Sequence, residues 1–235
     1  MEPHVSTDPS LSPSEYTAAL IQVLRERPLA VAGARTLEIG IGSGVVLAGM
    51  GVLGAASLCG VDIERPAINA SLALLAEEGL DDRTTLHHGD MWEPVAEHHF
   101  DLIVANLPHF PMLGGGYGIR RPSWSDGGPD GRRFLDPFIG SLARQLHKGG
   151  RALMTHNAFV GLDTTCERLQ QIGLQARPAL SRLVFIPDEK ILLMPDAVWR
   201  REEGRTLFRC GPYAFGELVV LEIVWGGAPA TESGQ

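Results

Sequence analysis

Cysteine is scarce in this 235-residue chain, with only Cys59, Cys166 and Cys210 present. Three widely spaced thiols exclude a disulfide framework and offer no cysteine-based metal site, so reduced thiols in the cytoplasm are expected. Long apolar runs are also missing. Nothing approaches the roughly 18 residues a membrane helix needs, and no basic-then-apolar leader opens the chain. An excess of positive charge is lacking too: the formal net charge is -8 and the basic residues are nearly all arginine. That balance disfavours a nucleic-acid partner, whose phosphates call for an extended basic surface. No internal repeat is visible. What remains is 44% hydrophobic and 20% charged, the composition of an ordinary globular domain large enough to bury a full core.

Strand-like and helical patterns alternate along that core. Residues 1–13 carry Pro, Ser and Asp without periodicity and read as a flexible tail, as do residues 227–235. An N-terminal helical segment fills 14–34, with Ser14 as its cap. TLEIG (36–40), SLCGVDI (57–63), TTLHHGD (84–90), FDLIVAN (100–106) and GRALMTH (150–156) read as strands separated by helices. The end of the chain offers strand candidates at 182–186, 191–194 and 217–225, and 187–216 reads as a β-like extension of a domain spanning 35–226. The expected fold is α/β, a Rossmann-like, seven-stranded, mostly parallel sheet with an antiparallel C-terminal edge. Such a sheet takes ligands beyond the carboxyl ends of its strands.

Chemistry-bearing residues sit at those ends. Glu38 precedes Gly40, Gly42 and Gly44 in a turn from strand to helix. Its G-x-G-x-G spacing, with Val45 where a dinucleotide fingerprint wants a third small residue, points to another nucleoside ligand rather than to a nicotinamide cofactor. Asp62, followed by Ile63, closes the second strand; it could accept two ribose hydroxyls or cap the next helix. Asp90 and Met91 close the third, where an acid can receive an adenine amino group beside a packing methionine.

Taken together, these motifs and the Asn-x-Pro after strand four resemble the class I S-adenosylmethionine (SAM) methyltransferases. The stretch Asn106-Leu107-Pro108-His109 looks like a variant of their Asn-Pro-Pro-Tyr motif. The segment Asp126-Gly127-Gly128-Pro129-Asp130-Gly131 looks further like the release-factor glutamine methyltransferases. The resemblance covers roughly residues 35–156. It implies SAM as methyl donor, S-adenosylhomocysteine as product, no metal, and a planar or amide nitrogen as acceptor. Leu107 replaces the family's first proline and His109 its aromatic residue.

In-line transfer from a sulfonium mainly requires the acceptor lone pair to be held on the S–CH3 axis. The Asn106 side-chain oxygen and the Leu107 carbonyl could accept the acceptor's N–H groups, with Pro108 fixing the backbone. His109 and His156 are candidate bases or stacking groups, and equally could be hydrogen-bonded structural histidines. The pairs His87-His88 and His98-His99 lack ligand spacing for a metal. The long loop 114–133 carries Tyr117, Arg120, Arg121, Trp124, Arg132 and Arg133, which could clamp an anionic acceptor or pair internally with Asp126, Asp130 and Asp136.

The expectation is therefore a SAM-dependent N-methyltransferase, monomer or homodimer, acting on a small amino-acid-like or planar-nitrogen acceptor. The alternatives are a protein glutamine or other macromolecule as acceptor, an O-methyltransferase with a histidine base, and a non-catalytic SAM-binding protein.

Overall fold

The computed structural model describes residues 11–114 and 125–226. Helix α1 (Glu15–Glu26) leads into β1 (Arg35–Ile39), α2 (Val45–Val52), β2 (Ser57–Asp62), α3 (Arg65–Glu77), β3 (Thr84–His88) and β4 (Phe100–Ala105). Then follow α4 (Leu135–Gln145), β5 (Leu146–Asn157), α5 (Leu162–Gln171), β6 (Leu174–Ile186), α6 (Asp188–Leu193), α7 (Asp196–Glu202), β7 (Leu207–Cys210) and β8 (Tyr213–Trp225).

The strands form one sheet in the order β3-β2-β1-β4-β5-β8-β6, and the short β7 pairs with β8. The pairs among β3, β2, β1, β4 and β5 are parallel, while β8 runs antiparallel to β5, β6 and β7. The seven-stranded path with an antiparallel edge matches the sequence expectation; β7 is an addition to it.

Strand β4 shows why the sheet needs helices on both sides. Its Leu102 and Val104 join the apolar cluster under α1 and α2, whereas Ile103 and Ala105 join the one under α4 and α5. Alternating side chains are thus buried on both faces, as a central parallel strand requires. At Phe138, Ile139 and Leu142 the spacing of three and four residues puts one stripe of α4 against the sheet.

Two expectations need correction. The 187–216 segment is only partly β-like: α6 and α7 occupy its first half, β7 and the start of β8 lie in its second, and the run at 191–194 is helical up to Leu193. Each helix starts directly after a proline, Pro187 or Pro195, with Asp188 and Glu189 or Asp196 in its first turn. Those acids suit the positive end of the helix dipole. The tail at 1–13 is also different where it is described, since Leu11 is buried. Residues 1–10 and 227–235 lie outside the described residues, as do Tyr117, Arg120, Arg121 and Trp124.

The chain order reverses between β1 and β4, which lie side by side although β2 and β3 precede β4 in sequence. A cleft opens at that switch point beyond the strands' carboxyl ends.

Candidate active site

A cavity of about 360 Å³ occupies this cleft. One wall is the turn after β1. Gly40, Gly42 and Gly44 all have positive φ, between 52° and 78°, which disfavours any side chain there. Gly44 has a second reason to be glycine: a Cβ would meet the Ser71 side chain of α3 at 2.7 Å. Its role is therefore close packing of α2 against α3, and it does not line the cavity as Gly40 and Gly42 do.

Asp62 stands beside that turn. Its Oδ2 accepts the Gly42 N–H at 3.0 Å and its Oδ1 the Glu64 N–H at 2.8 Å. Each oxygen keeps a further lone pair for a ligand hydroxyl. Burial raises the Asp62 carboxyl above its ordinary range, against these two hydrogen bonds. Glu38 lies deeper, 2% exposed, with Oε2 buried and without a partner among the described residues. Burial pushes its carboxyl well above the usual value, and Asp62 adds to the shift. An orphaned carboxyl oxygen at the foot of a glycine-walled cavity fits a polar ligand that brings its own donors. Ile63, Asp90 and Met91 complete this side. Met91 is the single non-glycine residue with positive φ (41°) among the described residues. Backbone strain of this kind concentrates at ligand sites.

The opposite wall is the turn after β4. The β4–β5 register pairs Ala105 with Met154, so the next pair brings Asn106 beside Thr155. The Thr155 hydroxyl donates to Asn106 Oδ1 at 2.8 Å. Leu107, Pro108 and His109 follow along the cavity wall. The His109 imidazole bonds through Nδ1 to the Leu107 carbonyl at 2.5 Å, while Nε2 is buried and has no partner among the described residues.

The Asp-Gly-Gly-Pro-Asp-Gly segment packs onto this histidine. Added Cβ atoms would meet His109 Cα at 2.6 Å from Gly127 and the His109 carbonyl oxygen at 2.8 Å from Gly131. Ladder-like bonds from Phe110 N–H to the Ser125 carbonyl and from Gly127 N–H to the Phe110 carbonyl hold the segment in place. These glycines are spacers that let backbone lie on backbone.

Three further expected residues stand away from the cavity. His156 is fully buried with both ring nitrogens engaged, Nδ1 with the Asn157 carbonyl at 2.7 Å and Nε2 with Thr165 Oγ1 at 2.9 Å. A carbonyl can only accept, so Nδ1 carries the proton and Nε2 receives the Thr165 hydroxyl. Burial, with His109 and Arg132 nearby, lowers this imidazole to about 3. It is a structural histidine, not an available base. Arg132 is spent on Asp136, Thr165 and the carbonyls of Val160 and Gly161. Arg133 pairs with Asp126 at 3.3 Å. Internal pairing is thus the state of both described arginines.

Other lining residues were missed from sequence: Tyr16 and Ser14 from the start of α1, Asn157 at the end of β5, Phe134, and Lys190 from α6. The Tyr16 hydroxyl donates to Asn157 Oδ1 at 2.7 Å, and its ring meets His109 edge-on. Asn157 ends a strand, where functional residues are expected; Tyr16 has no such signal.

The site's layout has relatives. Residues 15–109 match the family model of ribosomal protein L11 methyltransferase. A Methanocaldococcus jannaschii protein described as a protein N5-glutamine methyltransferase is 29% identical over 195 residues, covering 81% of this chain and 94% of its own length. A release factor glutamine methyltransferase from Gloeobacter violaceus is 29% identical over 147 residues. That match covers 60% of this chain and 51% of the relative, so the chain spans about half of it. The chain is a SAM-dependent methyltransferase. The crystal structure of the L11 methylase from Lactobacillus delbrueckii subsp. bulgaricus shares the fold, with a TM-score of 0.58, 18% identity and coverage of 91% and 81% of the two chains. Among the enzyme's described residues, no helix is long and apolar enough to cross a membrane.

Proposed function

We propose that the enzyme methylates the side-chain amide nitrogen of glutamine in a protein, using SAM. This replaces the expectation of a small amino-acid-like acceptor. Several of the relatives are named for protein glutamine methylation, and the arginines expected to clamp a small anion are, where described, paired within the fold.

In this reading Glu38, Gly40, Gly42, Asp62, Ile63, Asp90 and Met91 hold SAM, whose sulfonium supplies an electrophilic methyl group. The Asp62 oxygens take the ribose hydroxyls and the unpartnered Glu38 oxygen receives a donor from the amino-acid end or its water. The observation that carries the acceptor assignment is Asn106 Oδ1, held by Thr155 at the cavity wall next to Pro108. An amide nitrogen is a poor nucleophile because its lone pair is delocalised. An acceptor oxygen for one of its N–H bonds orients it and favours the pyramidal form that attacks, so positioning supplies the rate.

The test is incubation of the enzyme with methyl-labelled SAM and a cell lysate, followed by proteolysis and mass spectrometry. The expected result is N5-methylglutamine in a small set of proteins. Label confined to metabolites or RNA would overturn the assignment.

A further inference from the structure

The motif's last residue does something a tyrosine or phenylalanine could not. His109 is 4% exposed, lines the cavity, and has one ring nitrogen bonded and the other without a partner among the described residues. The Leu107 carbonyl can only accept, so Nδ1 bears the proton and Nε2 carries an unshared lone pair. The ring has little room to turn: Gly127 and Gly131 press on its backbone, and Tyr16 packs edge-on with ring centroids 5.5 Å apart. A buried acceptor with no partner normally costs stability, so its retention calls for an explanation.

We propose that His109 Nε2 is a catalytic acceptor, which takes the hydrogen bond and then the proton of the substrate nitrogen during methyl transfer. This rests on the amide-nitrogen reading above. In the step, the nitrogen lone pair forms the bond to the methyl carbon while the carbon–sulfur bond breaks and its electron pair stays on sulfur. The nitrogen is left with a positive charge and relieves it by passing one N–H proton to Nε2. The imidazole then releases that proton to water when product leaves.

The surroundings set what acceptors such a base can serve. Burial pulls the His109 imidazole down to about 4, against the Leu107 hydrogen bond and with Lys190 adding to the depression. The groups facing it are Tyr16 from α1, His156 from β5, and Lys190 from α6. The ring is therefore neutral and ready to accept near pH 7. A base this weak cannot take a proton from an alkylammonium ion, whose acidity is far lower. It readily takes one from an N-protonated carboxamide or aryl amine, which is far more acidic than imidazolium. The Asn-Leu-Pro-His turn thus selects planar nitrogens over aliphatic amines, and the Leu107 carbonyl acts mainly by fixing the imidazole tautomer.

The experiment uses full-length enzyme with 15N-labelled histidine, saturated with S-adenosylhomocysteine and titrated with N-acetylglutaminamide. The bare Nε2 resonance of His109, identified by its loss in His109→Phe, is expected to move upfield as the amide binds, and methylamine is expected to leave it unmoved. In parallel, His109→Phe keeps an aromatic wall and should bind SAM within about twofold of wild type. Its kcat on a glutamine peptide should fall about 100-fold, the lower end of general-base effects. An Nε2 signal indifferent to the amide, or His109→Phe turnover equal to wild type, overturns the proposal. An Nε2 shift without methylation of any glutamine peptide would instead sink the acceptor reading and leave the role of His109 standing.

Discussion

The Thr155 hydroxyl donates to Asn106 Oδ1 across 2.8 Å, joining the ends of β5 and β4 at the cavity wall. Thr155 is fully buried, and Asn106 half-buried. With the hydroxyl donating, the amide turns its oxygen toward Thr155 and its NH2 group faces the other way.

A first prediction follows for Thr155→Val, which keeps the shape and removes the donor. Turnover should fall about tenfold to 100-fold, the scale of a misoriented catalytic group, while SAM affinity stays within about twofold. Stability should fall by about 1 kcal/mol. Thr155→Ser should recover most of the turnover. Steady-state kinetics with calorimetric SAM titration check all three, and equal turnover in Thr155→Val and wild type would show that Asn106 is oriented by something else.

The second prediction concerns His156 and acid. Its folded pKa, about 3, lies below the ordinary imidazole value. The unfolded chain therefore binds a proton that the native one refuses as pH falls below about 6.5, and stability is lost in that direction. Each such histidine contributes a slope of about 1.4 kcal/mol per pH unit between roughly pH 6 and its folded pKa. His156→Gln removes one of these contributions. Denaturant unfolding from pH 6.5 to 4.5 should show a shallower slope in the variant by about one proton, with lower stability at pH 7 from the disturbed Arg132–Thr165–His156 network. Parallel slopes would mean that His156 becomes protonated in the native state.

The sequence made the glycine-turn side of the cleft legible and the Asn106 side only partly so. Glu38 and Asp62 could be placed because each lies at the end of a strand with a plain apolar pattern, and Asp90 because it follows the next strand position in the alternation; topology then brings strand ends together. Gly44 was found by pattern but given the wrong reason, since contact with Ser71 on α3 depends on how two helices pack. The same limit applies to His156: strand-end position suggested chemistry, but Thr165 and the Asn157 carbonyl use both nitrogens. Residues 191–194 misled because a short apolar run fits a strand or a helix equally. The Pro-Asp-Glu ahead of it was the overlooked helix signal. Tyr16 and Lys190 reach the cavity from α1 and α6, through tertiary packing that no local pattern encodes.

In the proposed enzyme one wall of the cavity holds SAM and the other, at Asn106, presents the acceptor nitrogen. Asn106→Ala separates the two most directly, measured by SAM titration calorimetry alongside single-turnover transfer of labelled methyl to the identified protein acceptor. SAM affinity is expected near wild type, with a transfer rate lower by about 100-fold or more. Transfer at the wild-type rate would contradict this arrangement.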